Sequence, residues 1–242
     1  MAPSPARRKE GGAGPCSDEE SEQPLMQKVN LARKGSEHFK ILCMGSHCDD
    51  IEIGCGGTIL RLTKEHPDCH VHWLIFSSTV PRKREALESA RLFLKGARKK
   101  KIVVRSYRDS FFPAIGQQIK EEFEKLKKEF SPTLVLTHYR HDLHQDHRLI
   151  CELTWNTFRN HLILEYEVPK YDGDLGSPNF FVHLDDATCQ KKIRYVLHTF
   201  RTQKQKPWFT EDTFRAILRL RGVESNAPGK FAEAFYCRKL AF

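Results

Sequence analysis

The sequence lacks three features that would each place it in a whole class of proteins. No apolar run approaches the roughly 18 residues of a membrane-spanning helix. The N-terminal segment has no apolar stretch of the kind found in secretory signal peptides. The 8 cysteines form no C-x-x-C pair, and several lie inside apolar runs. We therefore expect reduced thiols in a cytoplasmic protein, not a disulfide framework or a cysteine-rich zinc module.

Acidic residues are fewer than basic ones. The sequence has 31 Asp and Glu against 40 Lys and Arg, which gives a formal charge of +9. Most of this excess lies in residues 81–108, which carry 11 basic and 2 acidic side chains. A nucleic-acid-binding or anion-binding protein that uses this block is one alternative function. Apolar residues interleave through the block, however, and no nucleic-acid-binding motif accompanies it. We expect its charges on an outer surface away from the site described below, and no nucleic-acid partner.

The chain divides into a tail and one domain. Residues 1–37 are rich in Pro, Gly, Ser and charge, which is typical of a disordered segment. From residue 38 to 242, short apolar runs that resemble buried strands alternate with segments of helical periodicity. The predicted strands of the first half are 39–45, 70–76, 101–107, 133–138 and 162–166. The predicted helices between them are 58–65, 83–95, 117–130 and 147–159, the first preceded by a glycine-rich turn.

Strict alternation of strand and helix predicts an α/β fold with a Rossmann-like parallel sheet and helices on both faces. The expected strand order is 3-2-1-4-5. Beyond a Pro-, Gly- and Asp-rich loop at 168–179, we expect a C-terminal extension of the same domain. This extension should contain helices near 186–200 and 211–221 and strands at FFVHL and AEAFYCRKL.

Two segments crowded with His and Asp follow strands one and four. The first is Gly45-Ser46-His47-Cys48-Asp49-Asp50 and the second is His144-Gln145-Asp146-His147. In the predicted order these strands are neighbours, and ligands of such sheets bind outside the carboxyl ends where the order reverses. Imidazole and carboxylate are ligands of catalytic zinc. From the residues alone, the set is His47, one carboxylate of Asp49 and Asp50, and one or both of His144 and His147. The implied reaction is hydrolysis of an amide or ester by metal-bound water.

The two segments resemble the paired motifs of the LmbE-like, or PIG-L, family of zinc-dependent N-deacetylases. The first motif stands here as His47-Cys48-Asp49-Asp50, followed by Glu52 and a glycine-rich segment, and the second as His144-Gln145-Asp146-His147. The resemblance extends over about residues 40–240. It implies removal of an N-acetyl or related acyl group from an amino-sugar conjugate.

The resemblance also implies a role for each motif residue. His47, Asp50 and His147 would be the zinc ligands, although the same ligand types also accept Fe²⁺ or Co²⁺. Asp49 would be the general base, and His144 the general acid and oxyanion stabiliser. Asp146 would orient a histidine. Cys48 stands where the family usually has proline, and we expect the zinc site to survive this change with a thiol sensitive to oxidation.

Substrate-binding residues are predicted from position and chemistry. Arg82 could bind an anionic part of the substrate, Asp109 a sugar hydroxyl, and Tyr166 a sugar ring. A solvated helix face, a loop cap and a plain connecting loop are the respective alternatives. For His138 and His141 we expect no more than a polar surface loop.

Two matters stay open at this point. A carbohydrate-binding relative without catalysis is a further alternative, although intact His47, Asp49, Asp50, His144 and His147 argue against it. The expected partner is a small amino-sugar or glycoconjugate substrate, with a homo-oligomer left open.

Overall fold

The structure is a computed structural model that describes Met1 and residues 38–241. The predicted disorder of residues 2–37 lies outside the described residues. The strands are β1 (Lys40–Gly45), β2 (His70–Ser77), β3 (Lys99–Tyr107), β4 (Leu134–His138), β5 (Leu162–Tyr166), β6 (Phe180–Leu184) and β7 (Phe231–Cys237). The helices are α1 (Asp50–Glu65), α2 (Val80–Phe93), α3 (Gly116–Glu129), α4 (Gln145–Phe158), α5 (Asp186–Thr199) and α6 (Glu211–Glu224).

The seven strands form one sheet in the order β3-β2-β1-β4-β5-β7-β6. Strands β1 to β5 run parallel to one another, which confirms the predicted α/β class and the order 3-2-1-4-5. The extension joins the same sheet. Strand β7 pairs antiparallel with β5 and β6, so it lies between the parallel strands and the edge strand β6.

The core follows from the alternation of side chains along the strands. Leu42 and Met44 of β1 pack in a buried cluster with Phe123 of α3 and Ile150 of α4. The predicted apolar face of α3 is buried at Ile119, Phe123 and Leu126. Helices α1, α2 and α5 pack against one another as a second group. Within the described residues, no helix is both long enough and apolar enough to cross a bilayer.

Helix α1 departs from the prediction, because it begins at Asp50 and contains the glycines that were predicted to form a turn. Large side chains from other elements take the place of side chains at these glycines. A Cβ at Gly54 would overlap Cδ2 of Tyr166, and one at Gly56 would lie 2.6 Å from Cε1 of Phe93. The glycines therefore allow close packing on the helix and do not terminate it.

A break inside α1 has its own support. Cys55 departs from helical geometry, with φ −143° and ψ 16°. The carboxylate of Glu233 in β7 accepts the backbone N–H groups of Gly57 at 2.7 Å and Thr58 at 2.6 Å. The ammonium of Lys192 donates to Glu233 and to the carbonyl of Ile53, both at 2.6 Å. This buried pair supplies partners for backbone groups at the break, as caps do at helix ends.

The basic block of residues 81–108 forms most of α2 and the edge strand β3. In β3, Lys99, Lys100 and Lys101 are exposed. Arg82 corrects the expectation that the whole block lies away from the His and Asp residues, because it reaches Asp49. The reason is that α2 begins at Val80, three residues earlier than predicted, directly after the loop that leaves β2.

Candidate metal centre

The two His- and Asp-rich segments meet because β1 and β4 are parallel neighbours. The first segment leads from β1 into α1, and the second leads from the β4 loop into α4. Across this junction, Nδ1 of His47 lies 3.1 Å from Nε2 of His147. Residues 100 positions apart in the sequence thus touch at the carboxyl edge of the sheet.

Three ligand-type atoms form a nearly equilateral triangle there. Oδ2 of Asp50 lies 3.5 Å from Nδ1 of His47 and 3.5 Å from Nε2 of His147, and the third side is the 3.1 Å contact between the histidines. Ligands about 2.0–2.1 Å from a tetrahedral zinc ion are separated by about 3.3 Å. The three residues present therefore fit a tetrahedral metal, with one position left for another ligand.

Other combinations of nearby groups also have ligand atoms within 4.8 Å of one another. They are His47 with His144 and His147, His47 with Asp109, His144 and Asp146, and Asp50 with His138 and His147. His138 is the weaker candidate, because its Nε2 already accepts the backbone N–H of Ser46 at 2.9 Å.

His147 is held in the orientation that a metal ligand needs. Its Nδ1 lies 2.9 Å from Oδ2 of Asp142. Because a carboxylate only accepts hydrogen bonds, Nδ1 carries the proton and Nε2 presents a lone pair to the triangle. Burial lowers the pKa of His147 to about 3, against the opposing effect of Asp50, so the ring is neutral at pH 7. The sequence reasoning missed Asp142, although it stands two residues before His144 in the same loop.

The ring of His47 is held from the opposite side. Its Nε2 lies 3.0 Å from Oδ1 of Asp109 and 3.3 Å from Oδ2 of Asp146. Burial alone would lower the pKa of His47, but Asp50 and the bonds to these two carboxylates raise it well above its ordinary value. For Asp50, burial is outweighed by the surrounding histidines, and its carboxyl pKa is held well below the usual range.

Asp146 also binds the backbone of the loop that follows β3. Its carboxylate accepts the backbone N–H of Ser110 at 2.7 Å and that of Phe112 at 3.1 Å. The side chain is fully buried. Its histidine contact is with His47, and it also fixes the loop that follows β3.

The predicted base and acid each precede one of the two helices that contribute ligands to the triangle. Asp49 precedes α1 and is 5% exposed, and its Oδ1 accepts a bond from Arg82 at 2.7 Å. His144 precedes α4, where its Nδ1 accepts the backbone N–H of Asp146 at 3.2 Å. The rings of His144 and His147 stack with centroids 4.6 Å apart.

Comparison with known proteins agrees with this geometry. Residues 42–158, from β1 to the end of α4, match the family described as PIG-L, GlcNAc-PI de-N-acetylase. The chain carries a PIG-L domain. The matched residues include both His- and Asp-rich segments, so the family resemblance drawn from the motifs is confirmed.

Solved structures share the fold of this PIG-L domain. A conserved protein from Thermus thermophilus is 21% identical, with a TM-score of 0.67 over 84% of this chain and 95% of that chain. The N,N'-diacetylchitobiose deacetylase of Pyrococcus horikoshii is 22% identical, with a TM-score of 0.56 over 81% and 82%. The 4-carboxy-2-hydroxymuconate hydratase of Pseudomonas putida is 14% identical, with a TM-score of 0.63 over 84% and 98%. Because a hydratase has the same fold as a deacetylase, the likeness concerns architecture, and the reaction must be argued from the site.

Two expectations about individual residues need correction. Tyr166 is fully buried, and its hydroxyl donates to the carbonyl of Met44 at 2.6 Å. It offers no face to a sugar, so we remove it from the substrate-binding residues. His138 is not in a surface loop but is fully buried at the end of β4, with its ring 3.9 Å from that of His147. His141 is exposed, as expected.

The remaining predicted residues differ in their access to solvent. The side chain of Asp109 is 56% exposed, whereas that of Arg82 is 19% exposed and is paired with Asp49.

Cys48 is fully buried and its thiol donates to the carbonyl of Ser77 at 3.4 Å. Burial raises the pKa of this thiol to about 12, which opposes the oxidation that the sequence led us to expect.

Proposed function

We propose that this chain is a metal-dependent hydrolase that removes an N-acetyl or related acyl group from an amino-sugar conjugate. The observation that carries the proposal is the triangle of His47 Nδ1, His147 Nε2 and Asp50 Oδ2, whose sides are 3.1, 3.5 and 3.5 Å. This donor set of two imidazoles and one carboxylate is typical of catalytic zinc sites. Zinc is the proposed ion, and Fe²⁺ or Co²⁺ would also suit the donors.

His47, Asp50 and His147 would hold the ion, which when bound polarises a carbonyl oxygen and lowers the pKa of a water molecule. The neighbouring side chains would move the protons. Asp49 takes a proton from the attacking water, and Arg82, 2.7 Å away, keeps its carboxylate in place. We therefore assign Arg82 to the positioning of the base instead of to the substrate.

His144 suits the role of the acid. Its Nδ1 accepts a backbone N–H group, so in the neutral ring the proton resides on Nε2 and is available as a donor. That N–H would stabilise the oxygen of the tetrahedral intermediate and would donate its proton to the amine nitrogen as the C–N bond breaks. The proton that Asp49 took from the water would return to the ring, so that neither side chain ends with a changed charge. The products are a carboxylic acid and a free amino sugar, which balances the addition of one water.

Asp109 is the proposed contact for a substrate hydroxyl, since its carboxylate borders His47 and remains more than half exposed.

We also propose that the protein acts in a reducing compartment such as the cytoplasm. The free cysteines among the described residues support this, since Cys43, Cys48, Cys55, Cys69, Cys151 and Cys189 are all buried.

The test is an acetate-release screen over N-acetylated sugars and glycoconjugates with zinc-loaded protein. Asp49→Asn should keep the bound metal and lose about 10²- to 10⁴-fold in turnover, the range typical of general-base catalysis. Asp172→Asn, in an exposed loop position, is the matched control and should behave as wild type.

Two results would contradict the proposal. One is pure, reduced protein that binds no divalent metal, and the other is an Asp49→Asn variant that turns over at the wild-type rate. Metal-free sugar binding without turnover would instead favour a carbohydrate-binding relative. A salt-dependent shift of nucleic acid would favour the basic block of residues 81–108 as the functional surface.

A further inference from the structure

The loop between β5 and β6 reaches the candidate metal centre through one lysine. Nζ of Lys170 lies 3.0 Å from Oδ2 of Asp142. That same oxygen lies 2.9 Å from Nδ1 of His147. The side chains of Lys170, Asp142 and His147 are 10%, 2% and 3% exposed. A cation from the loop is thus separated from a proposed metal ligand by a single carboxylate.

Asp142 contacts both histidines of the second motif. Its Oδ2 faces the ring of His147, and its Oδ1 accepts the backbone N–H of His144 at 2.8 Å. The position of this one carboxylate therefore sets the ring orientation of the proposed ligand and the backbone of the proposed acid.

A second carboxylate on the loop completes the arrangement. Asp174 pairs with Lys170, and its Oδ2 accepts the backbone N–H of Leu143 at 2.7 Å. Lys170 thus lies between two carboxylates that are 2% and 6% exposed. Without the lysine these two carboxylates would repel each other in a site of low dielectric constant, and one of them would move from its present position. That movement would take a fixed acceptor away from His147.

We propose that Lys170 is a positioning residue of the metal centre, which acts through Asp142 on His147 and His144. The role rests on the proposed function as far as the metal is concerned. A positioning role differs from a role in loop packing only. If Lys170 positions His147, its removal should change the metal ligand itself, which a loss of loop packing alone would not do.

The first experiment measures zinc affinity by competition with a chromophoric chelator. Lys170→Met should bind zinc about 10- to 100-fold more weakly, as is typical when the partner of a metal-binding histidine is disturbed. Lys170→Arg should recover most of the loss. The control is Lys120→Met, because Lys120 pairs with Glu124 on an exposed face of α3 and should leave the affinity within about twofold of wild type.

The second experiment needs no metal. In ¹⁵N-histidine-labelled protein, the signal of His147, assigned by its absence in His147→Gln, should report a single tautomer with the proton on Nδ1. Lys170→Met should shift this signal towards a mixture of tautomers. If that variant does not fold, Lys170→Gln, which removes the charge but keeps a donor, should give the same change with a smaller amplitude.

The outcomes separate the two proposals. If the wild-type protein binds no divalent metal but Lys170→Met still changes the tautomer of His147, the proposed function would be overturned and the role of Lys170 supported. Zinc affinity and tautomer that both stay as in wild type, with only a lower thermal stability, would reduce Lys170 to a loop anchor and overturn the inference. Tighter zinc binding in Lys170→Met would also contradict it.

Discussion

Helix α1 touches two buried polar clusters that are built in different ways. At its start, Asp50 faces His47 and His147, and the ligand-type atoms of all three converge. At its break, Glu233 and Lys192 contact Ile53, Gly57 and Thr58, and each donor faces an acceptor. Both clusters are almost completely buried, so burial does not distinguish a site from a support.

The difference lies in how the polar atoms are paired. In the Glu233 cluster, one cation, one anion and three backbone groups provide each other with partners, as a structural network should. In the His47 cluster, carboxylates hold the outer nitrogens of both histidines, and the inner nitrogens point at Asp50 and at each other. Convergence of ligand-type atoms, with the supporting bonds behind them, is what identifies the second arrangement as a candidate metal centre.

The largest effect is expected from breaking the self-contained cluster. Lys192→Met leaves the carboxylate of Glu233 buried with no cation, and this should lower the free energy of unfolding by about 3–5 kcal/mol. Lys191→Met, its exposed neighbour on α5, is the control for urea denaturation. A loss below about 1 kcal/mol, the level of an exposed pair, would show that the backbone bonds alone hold the break in α1.

Asp146 joins features of both clusters, because it contacts His47 and also binds backbone groups. Asp146→Ala should leave the N–H groups of Ser110 and Phe112 without their acceptor and destabilise the fold by about 2–4 kcal/mol. Asp146→Asn keeps one oxygen and should lose about half as much. Equal losses in the two variants, measured by urea denaturation, would mean that charge on Asp146 matters more than these backbone bonds.

His72 is a buried histidine without the carboxylates that surround His47. Burial and the nearby Lys101 lower its pKa to about 4, so the unfolded chain takes up a proton between pH 6.5 and 4 and the folded chain does not. Stability should therefore rise with pH across this window. Between pH 7 and pH 5, His72 should cost about 2 kcal/mol of stability.

His72→Phe is the variant that checks this, since the ring already packs edge-on against Phe130 with centroids 5.5 Å apart. The difference in unfolding free energy between pH 7 and pH 5 should shrink by that amount relative to wild type. An unchanged difference would show that His72 is protonated in the folded state.

The smallest effect is expected at an exposed pair. Lys101 and Glu129 are 2.7 Å apart, and both side chains are 57% exposed. Lys101→Gln should change the free energy of unfolding by less than about 1 kcal/mol, since solvent and salt screen such pairs. A larger loss, measured in the same denaturation assay, would undermine the distinction between buried and exposed charges drawn above.

The meeting of the two motifs could be predicted from the sequence, because strand periodicity and alternation determine which carboxyl ends are neighbours. His47 and His147 are 100 residues apart, yet the parallel order places them in contact. The order of β1 to β5 followed from the same pattern. These predictions depended on regularities repeated along many residues.

Other features depended on single contacts between distant parts of the chain. The start of α1 was predicted too late because glycines usually interrupt helices, and nothing local indicates that Tyr166 and Phe93 fill the space above them. Asp142 was missed for a related reason. Its partners Lys170 and His147 come from a loop and a helix whose proximity exists only in the folded chain.

The basic residues of strand β3 have a physical consequence that does not involve a ligand. Among the described residues the strand pairs with β2 alone, so it is an edge strand with no strand partner on its other side. Lys99, Lys100 and Lys101 lie in succession along this strand. Two copies that tried to join their sheets here would bring like charges together and would have to bury them. The positive charge that suggested a polyanionic partner thus also disfavours edge-to-edge pairing of two copies of this strand.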